Sequence, residues 1–167
     1  MSEAKLQLVN YALADVENAL RDQSSTLHNL RIRTSYLLTL NGLVLSFFAR
    51  DFFSIGRVAT NNAEQSDSLL IGWIAIGFAV VAVVLCIMIL IPKGGWVFSN
   101  STKDFLEKYV FVDEEVDELE SKAMVSLMRF DHYKLNEGKL TALQSLFLFA
   151  AILVFCQMLF WIIGEIL

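Results

Sequence analysis

The sequence predicts an all-α membrane protein: three transmembrane helices, a long N-terminal cytoplasmic helix, and a long cytoplasmic helix continuous with the last span. Three observations predict it. Two stretches without a charged residue, Ser68 to Pro92 and Leu140 to Gly164, each run for 25 residues. As helices each would reach about 38 Å, against a hydrocarbon core of about 30 Å. The 167 residues are 56% hydrophobic and include a single proline, a composition richer in apolar and poorer in turn residues than a soluble domain of this size. Finally, the N-terminal arm and the 114–137 region carry mostly apolar residues at alternating spacings of three and four, a helical pattern.

In order, residues 1–33 read as a cytoplasmic heptad-patterned helix. Leu6, Val9, Leu13, Val16, Leu20, Gln23, Leu27 and Leu30 repeat every three or four positions, with Gln23 as the polar break. Such a seam needs a partner helix. Residues 34–53 form the first span. The charge-free part, Thr34 to Ala49, has 16 residues, which is short for a crossing. Arg33 and Arg50 extend it by reaching toward the two interfaces, and a re-entrant helix is the competing reading. Residues 54–67 form an external loop around Gly56 and Asn61-Asn62, and residues 68–92 form the second span, stopped by Pro92 with Gly94-Gly95. The cytoplasmic helical region covers 93–139. It opens with an extended piece, Trp96 to Ser99, and offers helix starts at Ser101 with Asp104 and at Asp113. From about 114 to 166 the pattern is one helix, or two nearly collinear ones. Its seam is expected at Val116, Leu119, Ala123, Ser126, Phe130, Tyr133 and Glu137, and residues 140–166 make the third span.

Lysine and arginine counts orient the spans: four in the N-terminal arm, two in the 50–67 loop and seven in 93–139. The positive-inside rule puts the arm and the 93–139 region in the cytoplasm and the C-terminus outside, as a multi-pass protein of a bacterial inner membrane. The first apolar stretch follows a charged helix and has no small-residue cleavage pattern after it, so no cleavable signal peptide is expected.

The net charge of −5 argues against direct nucleic-acid binding. Cys86 and Cys156 lie in apolar stretches and imply no disulfide framework. No nucleophile triad, metal-ligand cluster, phosphate loop or CxxC occurs, so no cofactor, metal or enzyme activity is expected. Ser35, Thr39, Gly42 and Ser46 share one face of the first span, with Asn41 beside it. This face either packs against a neighbouring helix or lines a pore. Gln157 is the other strongly polar residue within a span, and an Asn41–Gln157 hydrogen bond would satisfy both.

Asp113 to Glu120 carries six acids in eight residues, read as a solvated helix start or a docking surface for a basic partner. Lys103, Lys108, Lys122, Arg129 and His132 are the candidate partner or ligand surface, in a region whose net charge of −3 disfavours an anion unless they cluster. Arg129 and His132 can also pair with acids of the first arm, such as Asp15 or Glu17. Arg21 and His28 share a helix face at a spacing similar to that of HEPN-class ribonucleases, and they are the alternative catalytic pair.

Three segments together resemble the small transmembrane effectors of prokaryotic antiphage systems, the Pycsar-type and SLATT groups: LLTLNGLVLSFF (Leu37 to Phe48), LIPKGGWVFSN (Leu90 to Asn100) and MRFDHYKLNEGKLTALQSLFLFAAIL (Met128 to Leu153). The layout is also similar to that of the membrane accessory protein of type VI-B CRISPR systems. The resemblance implies an effector kept silent until an activating protein or a nucleotide second messenger triggers it. It would then form a homo-oligomer in the lipid bilayer and compromise the inner membrane. A membrane-anchored ribonuclease and a non-enzymatic membrane scaffold are the alternatives.

Overall fold

The computed structural model describes residues 3–58, 64–91, 94–98 and 118–166. Among the described residues it is all-helical, with three helices and no strand: α1, Glu3–Val58; α2, Glu64–Leu90; and α3, Glu118–Ile166. The helices run into the expected 54–67 loop from both sides. Gly56 alone, costing about 1 kcal/mol, does not stop α1. The Asn61-Asn62 pair, the helix starts at Ser101 and Asp113, and Lys103 and Lys108 lie outside the described residues, as do 114–117. Gly138 sits inside α3 without interrupting it.

The chain forms two compact units, one from residues 1–28 with 93–142 and one from 29–92 with 143–167. In the first unit, α1 turns the expected seam inward. Leu20, Gln23 and Leu27 are buried, and Leu6, Val9, Leu13 and Val16 are half-buried. The seam of α3 differs from the expectation. Leu119, Ala123, Ser126 and Tyr133 of the expected seam are half-buried, but Phe130 and Glu137 are exposed, while Val125 and Asn136 are buried and Arg129 and His132 half-buried. At Arg129 the inward face lies one residue earlier than the expected Phe130, because the guanidinium finds a partner on α1. Gln23 donates from Nε2 to the Tyr133 carbonyl oxygen at 3.1 Å. Arg129 pairs with Glu17. Phe130 instead lies on the outer surface, stacked with Tyr133 and covered by the Lys134 ammonium at 4.6 Å.

Arg129 is the more enclosed member of its ion pair, 22% exposed against 40% for Glu17. Glu17→Gln therefore leaves a half-buried guanidinium without its counter-charge and should destabilise the unit by about 1–2 kcal/mol. The exchanged pair, Glu17→Arg with Arg129→Glu, should recover at least half of that in a double-mutant cycle of thermal unfolding. Additive losses would mean that the two side chains do not couple.

In the second unit, α2 presents Gly72, Ala75, Ala79, Ala82, Cys86 and Ile89 inward, at spacings of three and four. Five of these six are small, so the neighbouring backbones can approach closely. Val44, Ala75 and Trp161 form the packed centre, with Phe48, Ile76, Met158 and Phe160 against it. Phe48 stacks on Trp161 with ring centroids 5.4 Å apart, and Phe78 meets Phe160 at the same distance.

Two helices are long and apolar enough to cross a membrane: α2 over Leu70–Leu90, and α3, whose apolar window lies within Glu118–Gly164. Only 28% of the most apolar window of each is buried. Trp73, Val80, Val84, Leu148, Phe149 and Phe155 stand exposed around them. A core helix of a water-soluble protein would hide such a surface.

Candidate functional site: carboxamides buried among apolar helices

The second unit encloses polar side chains that hydrocarbon does not tolerate alone. Asn41 is 1% exposed and Gln157 0%. Each was placed there by the same repeat that buries its apolar neighbours. Asn41 falls between Thr34 and Val44 on the inner face of α1, and Gln157 between Val154 and Trp161 on that of α3. The expected Asn41–Gln157 hydrogen bond is not formed. Asn41 donates from Nδ2 to the Ala79 carbonyl oxygen on α2 at 3.0 Å. Ala79 has no side chain beyond Cβ, which lets the amide reach the main chain. The Oδ1 of Asn41 and both the Nε2 and Oε1 of Gln157 have no hydrogen-bond partner. A carboxamide left without partners in an apolar surrounding costs several kcal/mol. Thr34, also fully buried, avoids that cost by donating to the Leu30 carbonyl oxygen at 2.8 Å.

The remaining residues of the expected packing or pore-lining set are elsewhere. Ser35, Thr39, Gly42 and Ser46 are exposed, on the outer face of α1 beside Tyr36 and Phe47, each 72% exposed. Their hydroxyls are closed onto their own helix: Ser35 donates to the Arg31 carbonyl oxygen at 3.1 Å, Thr39 to Ser35 at 3.0 Å and Ser46 to Gly42 at 2.8 Å. A hydroxyl satisfied in this way can face lipid, a neighbouring helix or water. Nothing approaches the Gly42 Cα closely enough to oppose an added methyl group.

In the first unit, two of the described residues of the candidate ligand surface are already engaged. Lys122 pairs with Glu118 at 2.6 Å and Arg129 with Glu17. His132 is half-buried with its Nδ1 unpartnered. Arg21 and His28 are both exposed, and seven residues of helix separate their α-carbons by about 10 Å along the axis. Among the described residues, no three His, Cys, Asp or Glu side chains gather into a metal-binding group.

One polar residue escaped the sequence reading. Asn136 is fully buried, and its carboxamide pairs with both main-chain groups of Val97. Its Nδ2 donates to the Val97 carbonyl oxygen at 2.8 Å, and the Val97 N–H donates to its Oδ1 at 3.3 Å. One turn later, Lys139 donates to the Gly95 carbonyl oxygen and lies over the Trp96 ring at 5.7 Å. Trp96 stacks on Phe98, and Gly95 takes φ +84°, a conformation glycine reaches without strain. The segment Gly94–Phe98 is neither helix nor strand, and the Asn136 amide gives it the pairing a strand would otherwise supply. The signal was available: a carboxamide seven residues after Arg129 on one helix face needs a partner from outside the helix.

No family model matches this sequence, and no curated protein or solved structure is significantly similar to it.

Proposed function

We propose that this protein is an oligomeric membrane effector that opens a pore in, or disrupts, the inner membrane to halt phage-infected cells. In this reading the chain crosses the bilayer three times. The first crossing is the part of α1 from Thr34 onward, and the N-terminal arm and the 93–139 region are cytoplasmic. The lysine and arginine distribution supports that orientation. The likeness to Pycsar-type and SLATT effectors supports the defence setting and a trigger that is an activating protein or a nucleotide second messenger.

The single observation that carries the reading is the outer face of α1. A membrane helix with no neighbours gains nothing from hydroxyls on its lipid side. Here Ser35, Thr39, Gly42 and Ser46 stand outward on one stripe, where another copy can pack closely or water can pass. Their hydroxyls, bonded to their own backbone, permit a resting state in lipid.

Reconstitution of the full chain into dye-loaded liposomes tests this. Raising the protein-to-lipid ratio substitutes for the trigger by mass action. Leakage should rise more steeply than in proportion to protein density. Ser46→Leu should lower the leak per copy about tenfold and leave membrane insertion unchanged. Inserted protein that never releases dye at any density would end the proposal.

A further inference from the structure

We propose that Gln157 and Asn41 are the gating pair of this membrane unit, dry in the resting packing and wetted when the helices part. The inference rests on the pore-forming reading above, takes the outer stripe of α1 as the packing face between copies, and names the residues that would line the conducting path. Three observations lead to it.

First, the pair is placed deep inside the packing and not at an edge. Ala75, Val154 and Trp161 around them are at most 5% exposed. Second, the polar capacity of the pair is largely unused. One amide hydrogen of Asn41 reaches the Ala79 carbonyl oxygen, while the Oδ1 of Asn41 and both polar atoms of Gln157 bond to nothing. A stability role calls for a leucine or methionine of similar volume at Gln157, because an unsatisfied amide is worse than an apolar core. Third, the helices meet along small residues on α2, Gly72 to Ala82, a contact made of shape and dispersion. Such a contact can be exchanged for contacts with another copy without exposing apolar surface to water.

The chemistry follows from these facts. In the resting state Gln157 is held at a disadvantage that only separation of the helices removes. Once they part, water hydrates both carboxamides, and neutral donors and acceptors line the path. A path of this kind passes small hydrated solutes and ions of either sign.

Two experiments on the full-length chain in liposomes test the pair. With Cys86 and Cys156 replaced by alanine, Gln157→Cys is exposed to a membrane-impermeant cationic thiosulfonate. The lipid-facing control is Phe155→Cys. The expected result is labelling at position 157 that rises at least tenfold when the vesicles begin to leak, with none at 155 in either state. Leaking vesicles in which position 157 stays unlabelled would overturn the gating pair while leaving the pore reading standing. Vesicles that never leak would remove both.

Independently, Gln157→Leu should raise the thermal midpoint of the detergent-solubilised protein by several degrees and delay leakage to a higher protein density. A lowered or unchanged midpoint would show that the amide is satisfied in the resting state, which would also overturn the gating pair.

Discussion

Trp161→Ala will cost this protein more than any other single truncation in its apolar helices. The indole is 5% exposed, stacks on Phe48 at an interplanar angle of 11°, and closes the cluster that Val44 and Ala75 begin. Removing it takes contacts from all three helices of the second unit at once and leaves a void that the small residues of α2 cannot fill. Burial of an aromatic side chain in a soluble core is worth about 3–5 kcal/mol on truncation to alanine. In a bilayer the released side chain returns to lipid and not to water, so the hydration part is absent and the packing part remains. The expected loss is about 2–3 kcal/mol, read as a lower midpoint in thermal or denaturant unfolding in micelles. Phe48→Ala should cost less, and the double variant should cost less than the sum, because the two rings share one contact. Strict additivity would mean the stacked pair contributes nothing beyond area.

Asn136→Leu will detach the segment Gly94–Phe98 from α3. The leucine has similar volume but strands the half-buried Val97 N–H and carbonyl, both of which pair with the Asn136 amide. Two stranded main-chain groups cost about 2–4 kcal/mol together, reduced to the extent that water reaches them after detachment. Asn136→Asp is the sharper test. It keeps an acceptor for the N–H but sets a carboxylate oxygen against the Val97 carbonyl oxygen, so at neutral pH it should be as damaging as leucine. Limited proteolysis after Trp96 or Phe98 should accelerate at least tenfold in both variants, while Lys139→Met, which removes only an exposed bond and a cation–π contact, should produce a smaller change. An unaltered cleavage rate in Asn136→Leu would refute the pairing as the fastening.

How much of this was legible depends on which physical signal each helix carries. The seam of α1 was readable because its residues from Leu6 to Leu30 alternate with charged neighbours. The same three-and-four count, carried on past Leu30, falls on Thr34, Leu37, Asn41, Val44 and Phe48, the residues that α1 turns inward. Continuing it would have placed Asn41 inside and Ser35, Thr39, Gly42 and Ser46 outside. The reading stopped at the start of the expected first span because apolar residues then occur on every face and no longer mark one.

On α2 uniform greasiness hid the inner face for the same reason. Side-chain size carries the information there, in Gly72, Ala75, Ala79 and Ala82. The α3 error has the opposite origin. Choosing Phe130 over Arg129 follows hydrophobicity, but the packing chose the side chain that has an ion-pair partner on α1. Spacings of seven from Arg129 reach Asn136, Leu143, Ala150, Gln157 and Gly164, so the polar members mark the face as well as the apolar ones do.

The bond from Asn41 to Ala79 ends on a main-chain oxygen. Residue-by-residue replacement is therefore blind at its receiving end, since every amino acid at position 79 brings the same carbonyl and alanine is already the wild type. Bulk alone is selected there: glycine would be tolerated, and leucine would push the amide away. A weaker acceptor can be introduced only by semisynthesis, exchanging the peptide link after Ala79 for an ester.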